Sequence, residues 1–263
     1  MKPFLILLIS VILFSSFFVG DDFCSAKNSA FQAGESIDFN IFYSVIGLYV
    51  NAGTANFSVG LEKMGSKPVY HVIGNGTSNS RYDWIFKVRD TYESYIDTAT
   101  LQPLKFLRNV EEGGYKINEN VTFNKVVNTA ISNKGVVKIP ACIQDVLSAI
   151  YYARNIDYSK YQIDDKIPFS MFLDNEVYNL YIKYLGKEEV KTRYGKFHAI
   201  KFSPLLVKGT IFSGGEKMTV WVSDDANHIP LRIESPISVG SVKVDMMGYH
   251  NLRYPLSSMI SFR

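Results

Sequence analysis

From Ile37 onward the chain is built of short runs in which apolar and polar residues alternate, broken by turn-forming Gly, Asn and Asp. A two-residue period places successive side chains on opposite faces of a strand. In residues 87–97 one face carries Val88, Asp90, Tyr92, Ser94 and Ile96. The other carries Lys87, Arg89, Thr91, Glu93, Tyr95 and Asp97. Turns are expected at Asn51-Ala52-Gly53, Met64-Gly65-Ser66, Gly113-Gly114, Asn133-Lys134-Gly135, Tyr194-Gly195, Ser213-Gly214-Gly215 and Asp224-Asp225-Ala226-Asn227. The 87–97 strand returns through a turn at 98–103 into 104–112. A turn centred near Thr100 places Tyr92 opposite Arg108, with Asp90 next along the same face. Residues 115–123 then pair with 126–132, and further strands fall at 177–185, 197–202, 217–223, 229–235 and 239–249.

One stretch changes period. Ile143, Val146, Leu147, Ile150 and Tyr151 recur at helical spacing, running to about Arg154-Asn155 with Pro140 ahead and no clear side-chain cap. The predicted fold is mainly β: a curved antiparallel sheet, a barrel-like or half-barrel meander, with one central amphipathic helix covering an open face. Gly74-Asn75-Gly76 lacks the following glycine and helix of a dinucleotide fingerprint and reads as an irregular strand end.

The amino terminus belongs to another class. Lys2 precedes a nearly unbroken apolar run from Phe4 to Val19, shorter than the roughly 20 residues a spanning helix needs. Cys24-Ser25-Ala26 offers small residues for a signal peptidase, so residues 1–26 read as an export leader and 27–263 as a single β-rich domain. Asp21-Asp22-Phe23 is a poor setting for an acylated Cys24. With the leader removed after Ala26, Cys142 would stand as a lone thiol in an oxidising compartment.

Composition narrows the function classes. A net charge of +3 gives no nucleic-acid footprint, and two cysteines with four scattered histidines leave no zinc or iron–sulfur module. No nucleophile elbow, phosphate loop or metalloprotease helix is present, so no catalytic residue, metal or cofactor is assigned and no enzyme is expected. Cys142 reads as a small residue at a helix entry. Glu111-Glu112 and the other acidic pairs lie beside turns, where solvated carboxylates are ordinary. His71 and His250 read as sheet residues among apolar neighbours. Asp90, Tyr92 and Arg108 form the one polar group expected on an inner face. An Arg clamped to an Asp with a Tyr hydroxyl nearby suits an anionic headgroup, and it equally suits an ion pair that fixes strand register. The 18 Phe, 17 Tyr and 2 Trp exceed what one sheet and one helix bury easily, which leaves room for an apolar groove between them.

Several segments resemble a bacterial exported family known as domain of unknown function 3108. They are Gly34-Glu35, Ala52-Gly53, Asp90 to Asp97 with Leu101-Gln102-Pro103, Glu112 to Tyr115, Asp145 to Arg154, and Val220 to Glu234. The resemblance implies an envelope β-protein and no catalytic residues. Val220 to Asp224 followed by Ile229-Pro230-Leu231-Arg232 is also similar to the central hairpin of periplasmic half-barrel lipoprotein carriers, in which a curved sheet holds an acyl chain against a helical lid. The combined expectation is a noncatalytic protein of the periplasm or outer-membrane periphery of a Gram-negative bacterium. It would bind a hydrophobic or amphiphilic ligand, such as a lipid or acyl chain, or a partner, on its concave face. The rival expectation is an assembly protein working through contacts with envelope proteins.

Overall fold

A computed structural model describes residues 24, 26–45, 48–207, 214–237 and 240–262. The apolar run of the expected leader lies outside them. Fifteen strands follow in chain order among the described residues: β1 (Ser36–Val45), β2 (Leu48–Met64), β3 (Lys67–Ser78), β4 (Val88–Asp97), β5 (Pro103–Glu112), β6 (Tyr115–Asn124), β7 (Thr129–Ser132), β8 (Gly135–Lys138), β9 (Lys166–Leu173), β10 (Glu176–Lys191), β11 (Gly195–Pro204), β12 (Thr219–Ser223), β13 (Pro230–Pro236), β14 (Ser241–His250) and β15 (Met259–Phe262). The helix α1 spans Val146–Ala153.

All strands join one antiparallel sheet, ordered β8-β7-β6-β5-β4-β3-β2-β1-β14-β13-β12-β11-β10-β9, with β15 added to β11. The alternation read from sequence is the physical cause of its sidedness. In β6, Glu119, Val121 and Phe123 are buried while Asn118, Asn120, Thr122 and Asn124 face water. The mainly β fold, the curved antiparallel sheet and the helix packed on it are as the sequence predicts. Strands β8, β9 and β15 carry no strong alternation and were not legible in it.

One glycine turn signal misleads, and a second glycine signal falls close to a strand end, as it reads in the sequence. Asn51-Ala52-Gly53 lies inside β2, and Gly74-Asn75-Gly76 lies inside β3. A Cβ on Gly53 would sit 2.3 Å from the Thr77 carbonyl oxygen, and one on Gly74 would press on Phe57 and Leu147. These glycines admit a neighbouring chain or side chain; neither makes a turn.

The sheet curls without closing. Its edges β8 and β9 do not pair with each other. The segment ahead of the helix occupies the seam instead, with Gln144 N donating to the Ser170 carbonyl (2.9 Å) and Phe172 N to the Gln144 carbonyl (2.8 Å). This covers part of an edge that would otherwise expose unpaired backbone. Side chains add two clips: Arg108 on β5 pairs with Asp174 in the β9–β10 turn, and Ser132 Oγ donates to Asn175 Oδ1 (2.9 Å).

The helix fills the concave face, resting on β3, β4 and β9. Leu147, Tyr151 and Tyr152 are buried with Val59, Val72, Ile96, Ile182, Ile200, Phe202 and Val222, residues from both arms of the sheet. Each large side chain so buried stabilises the fold by about 1.5–3 kcal/mol. Unlike the sequence reading, the helix has a full capping box. Asp145 accepts from Ser148 N (2.8 Å), and Ser148 Oγ accepts from Asp145 N (2.8 Å). Ser94 Oγ on β4 donates to the same carboxylate (2.6 Å), which burial pushes up to about 6.

The largest correction concerns the cysteines. Cys24 and Cys142 form a disulfide, their Cα atoms 5.2 Å apart and 118 residues apart in sequence. Neither is a lone thiol. The residues after Cys24 dock on the helix and bring it there. Ala26 N donates to Tyr152 Oη (2.8 Å), Ser29 N donates to Asn155 Oδ1 (2.6 Å), and Phe31 is buried against Tyr70 and Tyr151. A leader cut compatible with this bond lies before Cys24, and a sulfur in a disulfide has no valence left for acylation.

Candidate functional site

Tyr92 on β4, Arg108 on β5 and Glu119 on β6 stand directly opposite one another across three strands. The Tyr92–Arg108 register is the one predicted from the turn near Thr100. The next row toward the core is Ser94, Phe106 and Val121, all buried, so the trio lies on the inner face. Toward the β5–β6 turn the same face carries Asp90, opposite Val110, and Glu112, opposite Val88.

The partners differ from those expected. Arg108 pairs with Glu119 (2.9 Å) and Asp174, while Asp90 is hydrogen-bonded to Glu112 and accepts from Glu111 N (3.2 Å). The Arg108–Asp90 clamp is therefore corrected to an Arg–Glu–Asp cluster beside a carboxyl–carboxyl pair. Glu119 and Asp174 escaped the sequence reading because one needs the third strand and the other needs the sheet to curl. Glu112, read as a solvated turn carboxylate, faces inward because residues alternate to the end of β5.

The electrostatics follow from crowding and burial. Burial raises Glu112 to about 7, with the neighbouring Asp90 adding to the effect, and Asp90 is raised for the same first reason. Tyr92 is pushed up to about 12 by burial, against the pull of Arg108. Burial works to lower Arg108, but the bond to Asp174 and the charge of Glu119 raise it on balance. Arg108 Nε and both Glu119 carboxylate oxygens make no hydrogen bond, although Glu119 keeps its ion pair. One guanidinium thus stands among Asp90, Glu112, Glu119 and Asp174. Its charge is already matched, so the cluster is better suited to an amine or another cation than to an anionic headgroup.

The remaining candidates resolve into structural parts. His71 bridges Glu62 (2.7 Å) and Glu93 (2.8 Å) and stacks on Tyr95, so its neighbours are charged where apolar ones were expected. His228, in a turn, donates from Nδ1 to the Arg154 carbonyl (2.8 Å). Among the described residues no three His, Cys, Asp or Glu side chains are placed to hold a metal ion. Lys125 Nζ lies over the Phe123 ring without a hydrogen bond, and burial lowers it to about 8. Hollows of about 310 and 430 Å³ are lined by Tyr49, Arg193, Arg232 and Asp245 in one case, and by Asn40, Thr54, Asn56 and Asn75 in the other. Neither is lined by any residue of the helix.

Among solved structures, a β-barrel-like protein from Brucella abortus, of domain of unknown function 1849, superposes with a TM-score of 0.57. It is 7% identical and covers 84% of this chain and 99% of its own. A Bacteroides fragilis protein described as exported, with a YmcC-like fold, gives 0.34 at 12% identity, covering 86% of this chain and 100% of its own. A Parabacteroides distasonis protein described as a lipoprotein gives 0.36 at 11% identity, covering 85% and 100%. No curated protein matches the chain. The Brucella likeness shows a shared fold, in keeping with the curled sheet described above. Residues 38–247 match the family of proteins of unknown function DUF3108, and this chain belongs to that family.

Proposed function

We propose that this protein is an exported, noncatalytic module of the cell envelope that works by surface contact and does not enclose a ligand. The observation that carries this reading is the filled concave face. The helix and its aromatic residues occupy the space between the two arms of the sheet, where an apolar groove was expected. Large apolar side chains emerge at the rim instead: Trp84, Ile85, Phe86 and Tyr115 at one end of the β4–β6 sheet, and Val126 and Val127 at the other. The Cys24–Cys142 disulfide supports an oxidising compartment outside the cytoplasm.

Native mass spectrometry of the protein purified from the envelope tests the reading. The expected result is the mature chain alone, with its disulfide intact, while crosslinking in cells captures an envelope component on the rim. A stoichiometric lipid retained inside the fold would overturn it.

The Asp90–Glu112 pair favours a second reading, in which the polar end of the interior receives a small amine-bearing or cationic group. Titrating an alkylamine while following the amide signals of Asp90 and Glu112 separates the two. Saturable shifts confined to these residues favour the second reading, and their absence favours contact alone.

A further inference from the structure

We propose that the loop between β3 and β4, together with the β5–β6 turn, forms a platform that docks on the surface of a lipid bilayer. This rests on the reading of the protein as a contact module and names the partner of one of its rims. Trp84 is 83% exposed, Ile85 63%, Phe86 43% and Tyr115 53%. Four large apolar side chains at one site depart from the scattered single exposures ordinary on a soluble surface.

The platform is built rather than frayed. Asn79 N donates to the Ala52 carbonyl (2.7 Å), and the Asn79 side chain accepts from Arg81 N (3.1 Å). Ile85 N and Phe86 N both donate to the Tyr82 carbonyl (2.9 and 3.1 Å). Beneath them Asp83 receives Ser78 Oγ and two bonds from Arg89 (2.6 and 3.2 Å). Ser78, Asp83 and Arg89 satisfy one another at the loop's base, and the apolar triplet stands exposed above them. The second turn is fitted to the first. Gly113 N donates to the Lys87 carbonyl (2.9 Å), and the Phe86 ring lies so close over Gly113 that an added Cβ would sit 2.3 Å from it. Gly113 also has φ +57°, so both the space and the backbone conformation call for glycine.

The charges around the tip complement an anionic headgroup layer. Arg81, Lys87 and Lys116 flank the apolar residues in sequence; Arg81 forms no ion pair among the described residues, and Lys87 and Lys116 share the single carboxylate of Glu111, which leaves a basic excess. The nearby carboxylates are engaged: Asp83 with Arg89 (2.6 Å), Glu111 with Lys87 (3.2 Å) and Lys116 (3.7 Å), and Glu112 with Asp90. Trp and Tyr beside Lys and Arg are the residue types that settle at the membrane–water interface. A protein partner fits the geometry less well. The tip exposes on the order of 500 Å², below the ~800 Å² per side of a stable protein–protein contact.

The full mature protein, added to phosphatidylcholine vesicles with and without phosphatidylglycerol, tests this. Trp221 is already buried, so a vesicle-dependent blue shift of tryptophan emission reports Trp84. The expected result is co-sedimentation and a blue shift, stronger with phosphatidylglycerol and weaker in high salt. Trp84→Ser should lower binding roughly ten- to hundredfold, with circular dichroism and thermal midpoint unchanged. Arg81→Glu should remove the preference for phosphatidylglycerol. A wild-type protein that ignores both vesicles overturns the inference, as does a concentration-dependent dimer that Trp84→Ser abolishes. If vesicle binding fails while a photo-crosslinker at position 84 captures an envelope protein, the lipid assignment falls and the contact reading stands. If a crosslinker at positions 84 and 126 captures nothing in cells, the contact reading falls as well.

Discussion

Two arginines on the inside of this sheet have opposite fates. Arg154, at the end of the helix, holds Glu35 with both terminal nitrogens (2.5 and 2.9 Å), donates from Nε to the Asn227 carbonyl (3.0 Å) and lies between the rings of Phe31 and Tyr151. Arg108, at the polar end of the curl, has an excess of carboxylates and an Nε without a partner. The difference shows what each buried charge does. Where every donor is met, the guanidinium ties the amino-terminal segment, the helix and the β12–β13 turn into one joint. Where the pairing is incomplete, the cluster carries little net stabilisation and retains charge that can respond to pH.

Breaking the satisfied joint should have the largest effect. Glu35→Ala leaves Arg154 buried without its carboxylate and should lower stability by about 3–5 kcal/mol in urea denaturation. The disulfide ties the same amino-terminal segment to the entry of the helix, so Cys142→Ser or reduction should remove about 2–5 kcal/mol. Faster proteolysis near residues 24–31 would mark the released segment. The Arg108 cluster should contrast with both. Replacing Arg108 by Met and Glu119 by Gln together should change stability by no more than about 1 kcal/mol, whereas Arg108→Met alone should cost more, because Glu119 stays buried without its cation.

The smallest expected effect is a slope. Glu112 is raised in the folded protein to about 7 from an ordinary value of 4.5, so the folded state binds its proton more tightly than the unfolded chain. Stability from this group is therefore full below pH 4.5 and is lost as pH rises toward 7. Asp145, raised to about 6 from 3.8, acts in the same direction over a lower window. Burial lowers His228, which works the other way below pH 6.5, so the measure is a difference: across pH 4.5 to 7.5, urea midpoints of Glu112→Gln should fall less with rising pH than those of the wild type. An unchanged slope in the variant would remove Glu112 from the account.

The β4–β5 hairpin shows how far sequence reasoning reaches. Counting residues back from the turn near Thr100 paired Tyr92 with Arg108, because register in a short antiparallel hairpin is set by turn length and alternation. The same counting offered Asp90 as the partner of Arg108, where the structure has Glu119 and Asp174. Glu119 is on the adjacent strand β6, outside the hairpin that was counted, and Asp174 is 66 residues downstream on a turn that meets β5 only because the sheet curls. Arg154 and Glu35 lie in segments whose family likeness was legible, yet their pairing across 119 residues was not.

The sequence by itself determined the local periods: strands that alternate, a helix with one apolar stripe, and an amino-terminal apolar run set apart by composition. Those properties depend on neighbours within a few residues, and the chain carries them wherever it folds. Only the tertiary structure decided that Cys24 meets Cys142 and that the helix fills the concave face. It also decided that Gly53 admits a neighbouring chain where a turn was expected, and that Trp84, Ile85 and Phe86 stand outside. Each of these depends on where the curl of the sheet brings distant segments. That curl is the sum of twist and bulges over many strands, and no short window of sequence contains it.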